Sequence, residues 1–220
     1  MTFTLIDMDA YLRKEHYKHY VSISGSCTYS VTTNIDITNL QNVLKTGDFR
    51  MFHSHCWLIS KAVNDMPEFR MAHNEKGELG IFNYVNPRYN VFNKETETFG
   101  GIWTEYHADF KTFYKNCVAD MDKYSDKVGF ALMPDIPNIF DLSCLPWVNF
   151  TGFNLNIYCQ CPFTWFAPQI TIGKIVPDHN GRLQLPVSVQ VNHAVCDGYH
   201  VGRFVERLQL LVNEPERWMS

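Results

Sequence analysis

The sequence has little charge and no excess of basic residues. Charged residues make up 19% of the 220 positions, and the formal net charge is -4. Proteins that bind nucleic acid through its phosphates carry clustered positive charge, so we expect no nucleic-acid partner. Hydrophobic residues reach 45% and aromatic residues 15%, which is typical of a globular chain with a large core. Binding is therefore expected in local pockets.

The sequence also lacks an apolar run long enough to span a membrane, and its start has no basic segment followed by an apolar one. No repeat, low-complexity tract or Gly/Ser/Pro linker divides the chain. These absences predict one domain over residues 1–220, located in the cytoplasm and not associated with a membrane.

Cysteines are present but lack the paired CxxC spacing of zinc sites and the even count of a disulfide framework. There are seven of them, scattered along the chain, so we expect free thiols in a reducing compartment. His53, His55 and Cys56 resemble a metal cluster. They fall on a predicted helix without a matching second pair, so no metal is expected.

Hydrophobic periodicity predicts an alternation of helices and strands. Helical spacing occurs in residues 10–20, 52–63, 106–121 and 199–212, and strand patterns occur in residues 28–37, 81–84, 89–92, 147–157, 170–176 and 183–191. Long strands with a few covering helices favour an α+β sandwich.

Residues 183–191 alternate strictly, with an apolar side chain at every odd position. Continuing this register places His193 on the buried side, at the end of the strand. Restricted solvent and a fixed orientation suit a general base, and Asp197 is placed to cap the following helix. On spacing alone, a purely structural histidine is the commoner reading. A cysteine hydrolase built on Cys196 would need an orienting Asn or Asp, and none is evident.

The segment Gln190-Val-Asn-His-Ala-Val-Cys-Asp-Gly-Tyr-His200 is more specific than the lone histidine. It resembles the chloramphenicol acetyltransferase family, whose signature reads His-His-Ala-Val-Cys-Asp-Gly-Phe-His and contains the wider HxxxDG acyltransferase motif. Further segments resemble the family in the same order, at residues 13–16, 28–30, 35–38, 95–99, 145–147 and 153–156.

The resemblance implies an enzyme that acetylates chloramphenicol with acetyl-CoA as cosubstrate and no metal. It implies that His193 deprotonates the substrate hydroxyl, which attacks the thioester directly in a ternary complex. Asp197 would pair with Arg13 and brace the loop that carries the base, rather than relay protons.

The resemblance also implies the fold, the assembly and the pocket. The fold would be a two-layer α+β sandwich of a mixed β-sheet covered by helices, forming a homotrimer with active sites at the subunit interfaces. Thr171 would hold a water near the reacting centre. The residues matching pocket positions are Tyr20, Cys27, Tyr29, Phe99, Gly101 and Phe130.

Two positions depart from the family pattern. Gly152 stands where many relatives place a serine that donates to the developing oxyanion, and Asn192 replaces the first histidine of the usual pair. A lost oxyanion donor typically costs about two to three orders of magnitude in rate. Two alternatives therefore stay open: a homologue that sequesters the antibiotic with weak turnover, and an acetyltransferase for another small alcohol.

Overall fold

The computed structural model describes residues 1–23, 27–155 and 165–219. The helices in this part are α1 (Lys14–Val21), α2 (Thr38–Thr46), α3 (Met51–Asn64), α4 (Phe110–Tyr124), α5 (Gly198–Asn213) and α6 (Glu216–Met219), with a 3-10 helix at Pro67–Arg70. The strands are β1 (Phe3–Leu5), β2 (Thr28–Asp36), β3 (Met71–His73), β4 (Leu79–Phe82), β5 (Asn86–Asn93), β6 (Thr98–Trp103), β7 (Ile139–Leu145), β8 (Gln169–Gly173), β9 (Val176–Pro177) and β10 (Leu183–Asn192).

The main sheet is mixed and has the strand order β2-β10-β8-β7-β5-β6, with β9 also paired to β10. Strand β7 runs parallel to both β5 and β8, and the other pairs are antiparallel. A second, three-stranded sheet has the order β1-β4-β3. The predicted α+β class, a mixed sheet with helices, is confirmed.

The two faces of β10 are both buried, but in different ways. The odd-numbered side chains, such as Val187 and Val189, belong to the hydrophobic core. On the even face, the Ser188 hydroxyl donates to the Phe153 carbonyl at 2.7 Å. The Gln190 side chain donates to the Leu155 carbonyl at 2.7 Å and accepts from the Leu155 N–H at 2.8 Å. The alternation therefore places apolar side chains against the core on one face of β10 and polar side chains against residues 153–155 on the other.

The strand predicted over residues 147–157 is wrong for its described part. Residues 147–155 form turns and irregular chain, and residues 156 and 157 lie outside the described residues. The main chain of residues 153–155 bonds to side chains of β2 and β10, since Phe153 N–H also donates to the Thr32 hydroxyl at 3.3 Å. The strand that pairs within the sheet is β7, which ends at Leu145, just before the predicted range.

The start of α4 follows its N-cap more closely than its hydrophobic spacing. Helix α4 begins at Phe110, four residues later than predicted, because the Asp109 carboxylate accepts the Thr112 N–H at 2.8 Å. Helix α2 was missed altogether. Within the described residues, no helix is long and apolar enough to cross a membrane.

Candidate active site

His193 is the first residue after β10 and its ring is held between two tyrosines. The ring stacks on Tyr20 with centroids 4.1 Å apart and planes 9° from parallel, and it lies 5.0 Å from the ring of Tyr29. The His193 N–H donates to the Cys27 carbonyl at 2.8 Å. Its Nδ1 is buried and has no hydrogen-bond partner among the described residues. Packing, rather than a carboxylate, therefore sets the orientation of this half-buried imidazole.

The turn that carries His193 is closed by Asn192. Its side-chain oxygen accepts the Ala194 N–H at 2.9 Å, and its carbonyl accepts the Cys196 N–H at 3.0 Å. The Asn192 amide also donates to the Trp165 carbonyl at 3.2 Å. Asparagine commonly bonds the main chain two residues on, so this role was readable from the sequence but was missed.

Arg13 and Asp197 form an ion pair that touches the main chain of His193. Arg13 Nη1 donates to Asp197 Oδ2, and Nη2 donates to the His193 carbonyl at 3.3 Å. Asp197 is the N-cap of α5 and accepts the Tyr199 N–H at 3.2 Å. Burial acts to raise the pKa of Asp197, but the charges of His200 and Arg13 outweigh it and lower that pKa. An ionised Asp197 thus holds the loop, with Arg13 as the link to His193.

Cys196 lies beside this pair but has the wrong environment for a nucleophile. The side chain is buried, and burial, aided by the nearby carboxylates of Glu68 and Asp197, raises the pKa of its thiol. Because the thiolate is the reactive form, a cysteine hydrolase is disfavoured.

The residues of the suspected metal cluster lie inside α3. His53, His55 and Cys56 are all buried, and burial lowers the pKa of His55 to about 4. In the part of the chain that the structure describes, no group of three or more His, Cys, Asp or Glu side chains is arranged to hold a metal ion.

A second group of predicted pocket residues lies at the β6 edge of the sheet. The Gly101 N–H donates to the Phe130 carbonyl at 2.7 Å, and the rings of Phe99 and Phe130 are 6.2 Å apart. Phe99 is 49% exposed and Phe130 is 80% exposed. In the strand order, β8, β7 and β5 separate β10 from β6, a lateral distance of roughly 19 Å at ~4.8 Å per strand. The chain does not bring this group to its own His193.

Two further predicted residues, Thr171 and Gly152, lie on other elements of the chain. Thr171 is buried in β8 opposite Ser188, on the polar face of the sheet. Gly152 is exposed in the segment that follows β7, and a Cβ added there would meet no atom within 4 Å. Packing therefore does not require glycine at this position.

Comparison with known proteins places this arrangement in a family. The family model described as "Chloramphenicol acetyltransferase" matches residues 1–209. A chloramphenicol acetyltransferase of Clostridium perfringens is 43% identical, covering 100% of this chain and 99% of the relative. One of Bacillus pumilus is 42% identical over 99% of this chain and 97% of its own. The chain belongs to the chloramphenicol acetyltransferase family.

Solved structures agree with this family in their fold. A structure titled "chloramphenicol acetyltransferase" superposes with a TM-score of 0.80 at 20% identity, covering 96% of this chain and 100% of its own. A dihydrolipoamide acetyltransferase of Azotobacter vinelandii has a TM-score of 0.62 at 16% identity, over 89% and 85% of the two chains. The resemblance inferred from residues 190–200 is confirmed, as is the acyltransferase class.

Proposed function

We propose that this enzyme transfers the acetyl group of acetyl-CoA to a hydroxyl of chloramphenicol, with His193 as the general base. The observation that carries the proposal is the His193 ring, fixed between Tyr20 and Tyr29 while Arg13 and Cys27 bond its main chain. A base needs a fixed ring with one free nitrogen, and this packing supplies it without a carboxylate on the imidazole. The names of the full-length relatives supply the acceptor.

In the proposed reaction, His193 takes the proton of the acceptor hydroxyl, and the oxygen attacks the thioester carbonyl of acetyl-CoA. The tetrahedral intermediate collapses by breaking the carbon–sulfur bond, and the imidazolium returns its proton to the CoA sulfur. Cys196 carries no acyl group, which is consistent with its raised thiol pKa.

The negative oxygen of the intermediate needs a hydrogen-bond donor, and Gly152 has none to offer. Three donors remain: a main-chain N–H, a water held by Thr171, or the hydroxyl of Thr151. The open space at Gly152 leaves room for such a donor.

We further propose that the active enzyme is a homotrimer in which Phe99, Gly101 and Phe130 of one subunit face His193 of the next. Two features support this. Those residues lie across the sheet from their own His193, and aromatic side chains including Phe92 and Trp147 are exposed near the β6 edge. Exposed apolar clusters commonly mark subunit interfaces. The described cysteines are free thiols, which supports a cytoplasmic location.

A thiol-release assay with acetyl-CoA and chloramphenicol tests the function. We expect His193→Ala to lower kcat by about three orders of magnitude. The control is His179→Ala, at an exposed histidine in the turn before β10. Retained activity in His193→Ala would refute the proposed role of His193 as the general base. Tight binding of chloramphenicol by the wild type without CoA release would indicate sequestration. Faster CoA release with another small alcohol would indicate that this alcohol, and not chloramphenicol, is the preferred acceptor.

A further inference from the structure

His200 contacts Asp197 on the side away from solvent. It is the third residue of α5, and its ring is largely buried. Its Nδ1 lies 2.8 Å from Asp197 Oδ1, and its Nε2 lies 3.5 Å from Oε1 of Glu68, in the 3-10 helix. The imidazole is therefore placed between two carboxylates.

Nδ1 of His200 accepts a hydrogen bond from the main chain of Asp197. The Asp197 N–H donates to Nδ1 at 3.1 Å, and this bond completes a capping box at the start of α5. The carboxylate oxygen Oδ1 of Asp197 lies 2.8 Å from the same nitrogen. His200 therefore contacts both the main chain and the carboxylate of the N-cap residue.

Both oxygens of Asp197 also have neighbours. Oδ2 accepts from Arg13, while Oδ1 accepts from the Tyr199 N–H and lies against His200 Nδ1. Arg13 Nε is buried without a partner among the described residues. The position of its guanidinium therefore depends on Asp197 Oδ2 and the His193 carbonyl. A carboxylate that turns would move the group that holds the base.

Glu68 completes the arrangement on the buried side. Its side chain is 15% exposed, and its Oε2 is buried without a partner in the described part of the chain. The His200 ring lies between Glu68 and Asp197, so contacts on both sides hold it in one orientation.

We propose that His200 is a positioning residue for His193, acting through Asp197 and Arg13. The inference rests on the proposed role of His193 as the base. His200 touches no reacting atom; it holds the Asp197 carboxylate so that Arg13 reaches the His193 carbonyl. Its loss should lower kcat with little change in either KM.

Three substitutions of His200 in the full-length enzyme separate positioning from packing. The amide oxygen of Asn lies near the place of Nδ1 and can accept the Asp197 N–H, that of Gln lies near the place of Nε2 and cannot, and Leu accepts no hydrogen bond. We expect His200→Leu and His200→Gln to lower kcat on the order of tenfold to a hundredfold. We expect His200→Asn to recover most of that loss. Equal kcat in all four proteins, or equal loss in all three variants, would overturn the proposal.

A double-mutant cycle shows the route of the effect. If His200 acts through Asp197, the loss caused by His200→Gln should vanish when Asp197 is already Asn. Additive losses would overturn the proposal. If His200→Leu does not fold, the comparison of the Asn and Gln variants still decides. His193→Ala, assayed in parallel, distinguishes a failure of the base from a failure of His200.

Discussion

The proposed base and the proposed acceptor pocket differ in how far the contacts of a single chain fix their side chains. His193 is half-buried, its ring is packed between two others and its main chain is bonded from two sides. The rings of Phe99 and Phe130 lie 6.2 Å apart, and both are exposed. A single chain therefore orders His193 by itself and leaves the proposed acceptor wall exposed.

This contrast predicts different kinetic effects for substitutions near His193 and substitutions near Phe130. A change near His193 should affect kcat, because it disturbs a group that this chain already holds in place. A change near Phe130 should affect the KM of the acceptor, because the proposed trimer buries those side chains against the neighbouring subunit.

Among substitutions that leave His193 in place, the largest effect is expected from Asp197→Asn. Asparagine still caps a helix but weakens the pair with Arg13, so the main chain of His193 loses a support. We expect kcat to fall on the order of a hundredfold, because small displacements of catalytic groups have large effects. The matched control is Asp109→Asn at the N-cap of α4. An unchanged kcat in Asp197→Asn would show that the base does not depend on this pair.

A smaller effect, confined to the acceptor, is expected from Phe130→Ala. Burial of a phenylalanine contributes about 1.5–3 kcal/mol, so the KM for chloramphenicol should rise on the order of tenfold or more. The KM for acetyl-CoA and the thermal midpoint should stay near their wild-type values. In a monomer, a side chain exposed to this extent would have no effect, so an unchanged KM would argue against a shared site.

Mixed oligomers sharpen this test. Coexpression of His193→Ala with Phe130→Asp should regain activity, because some interfaces would combine an intact base with an intact acceptor wall. No regain in complexes shown by mass spectrometry to be mixed would place both residues in one subunit's site.

The variant Gly152→Ser tests whether the enzyme lacks a side-chain donor for the negative oxygen of the intermediate. Since a side chain at Gly152 has open space, the variant should fold normally. If its hydroxyl reaches the intermediate, kcat should rise by about tenfold, a conservative fraction of what one donor contributes. Gly152→Ala is the matched control and should leave kcat unchanged. An equal kcat in both variants would mean that another group already fills the role.

The sequence allowed the base end to be predicted in more detail than the acceptor end. Strict alternation over 183–191 placed His193 beside a buried strand, and the motif indicated the Arg13–Asp197 contact that the structure contains. Side-chain bonds from Ser188 and Gln190 to the 153–155 segment were missed, because periodicity reports burial and not what covers a face. The separation of β6 from β10 was missed as well, since strand order depends on long-range pairing.

The smallest expected effect is on stability in acid, and it should occur at the base end alone. The pKa of Asp197 is lowered in the folded protein, while an unfolded aspartate has a pKa of about 3.9. The stabilisation is therefore present above that value and is lost as the pH falls through the lowered folded pKa. Urea unfolding between neutral pH and about pH 3.5 should show a steeper loss of stability in wild type than in Asp197→Asn. Phe130→Ala, which alters no charge, should run parallel to wild type, and a parallel Asp197→Asn curve would show that this carboxylate gains nothing from folding.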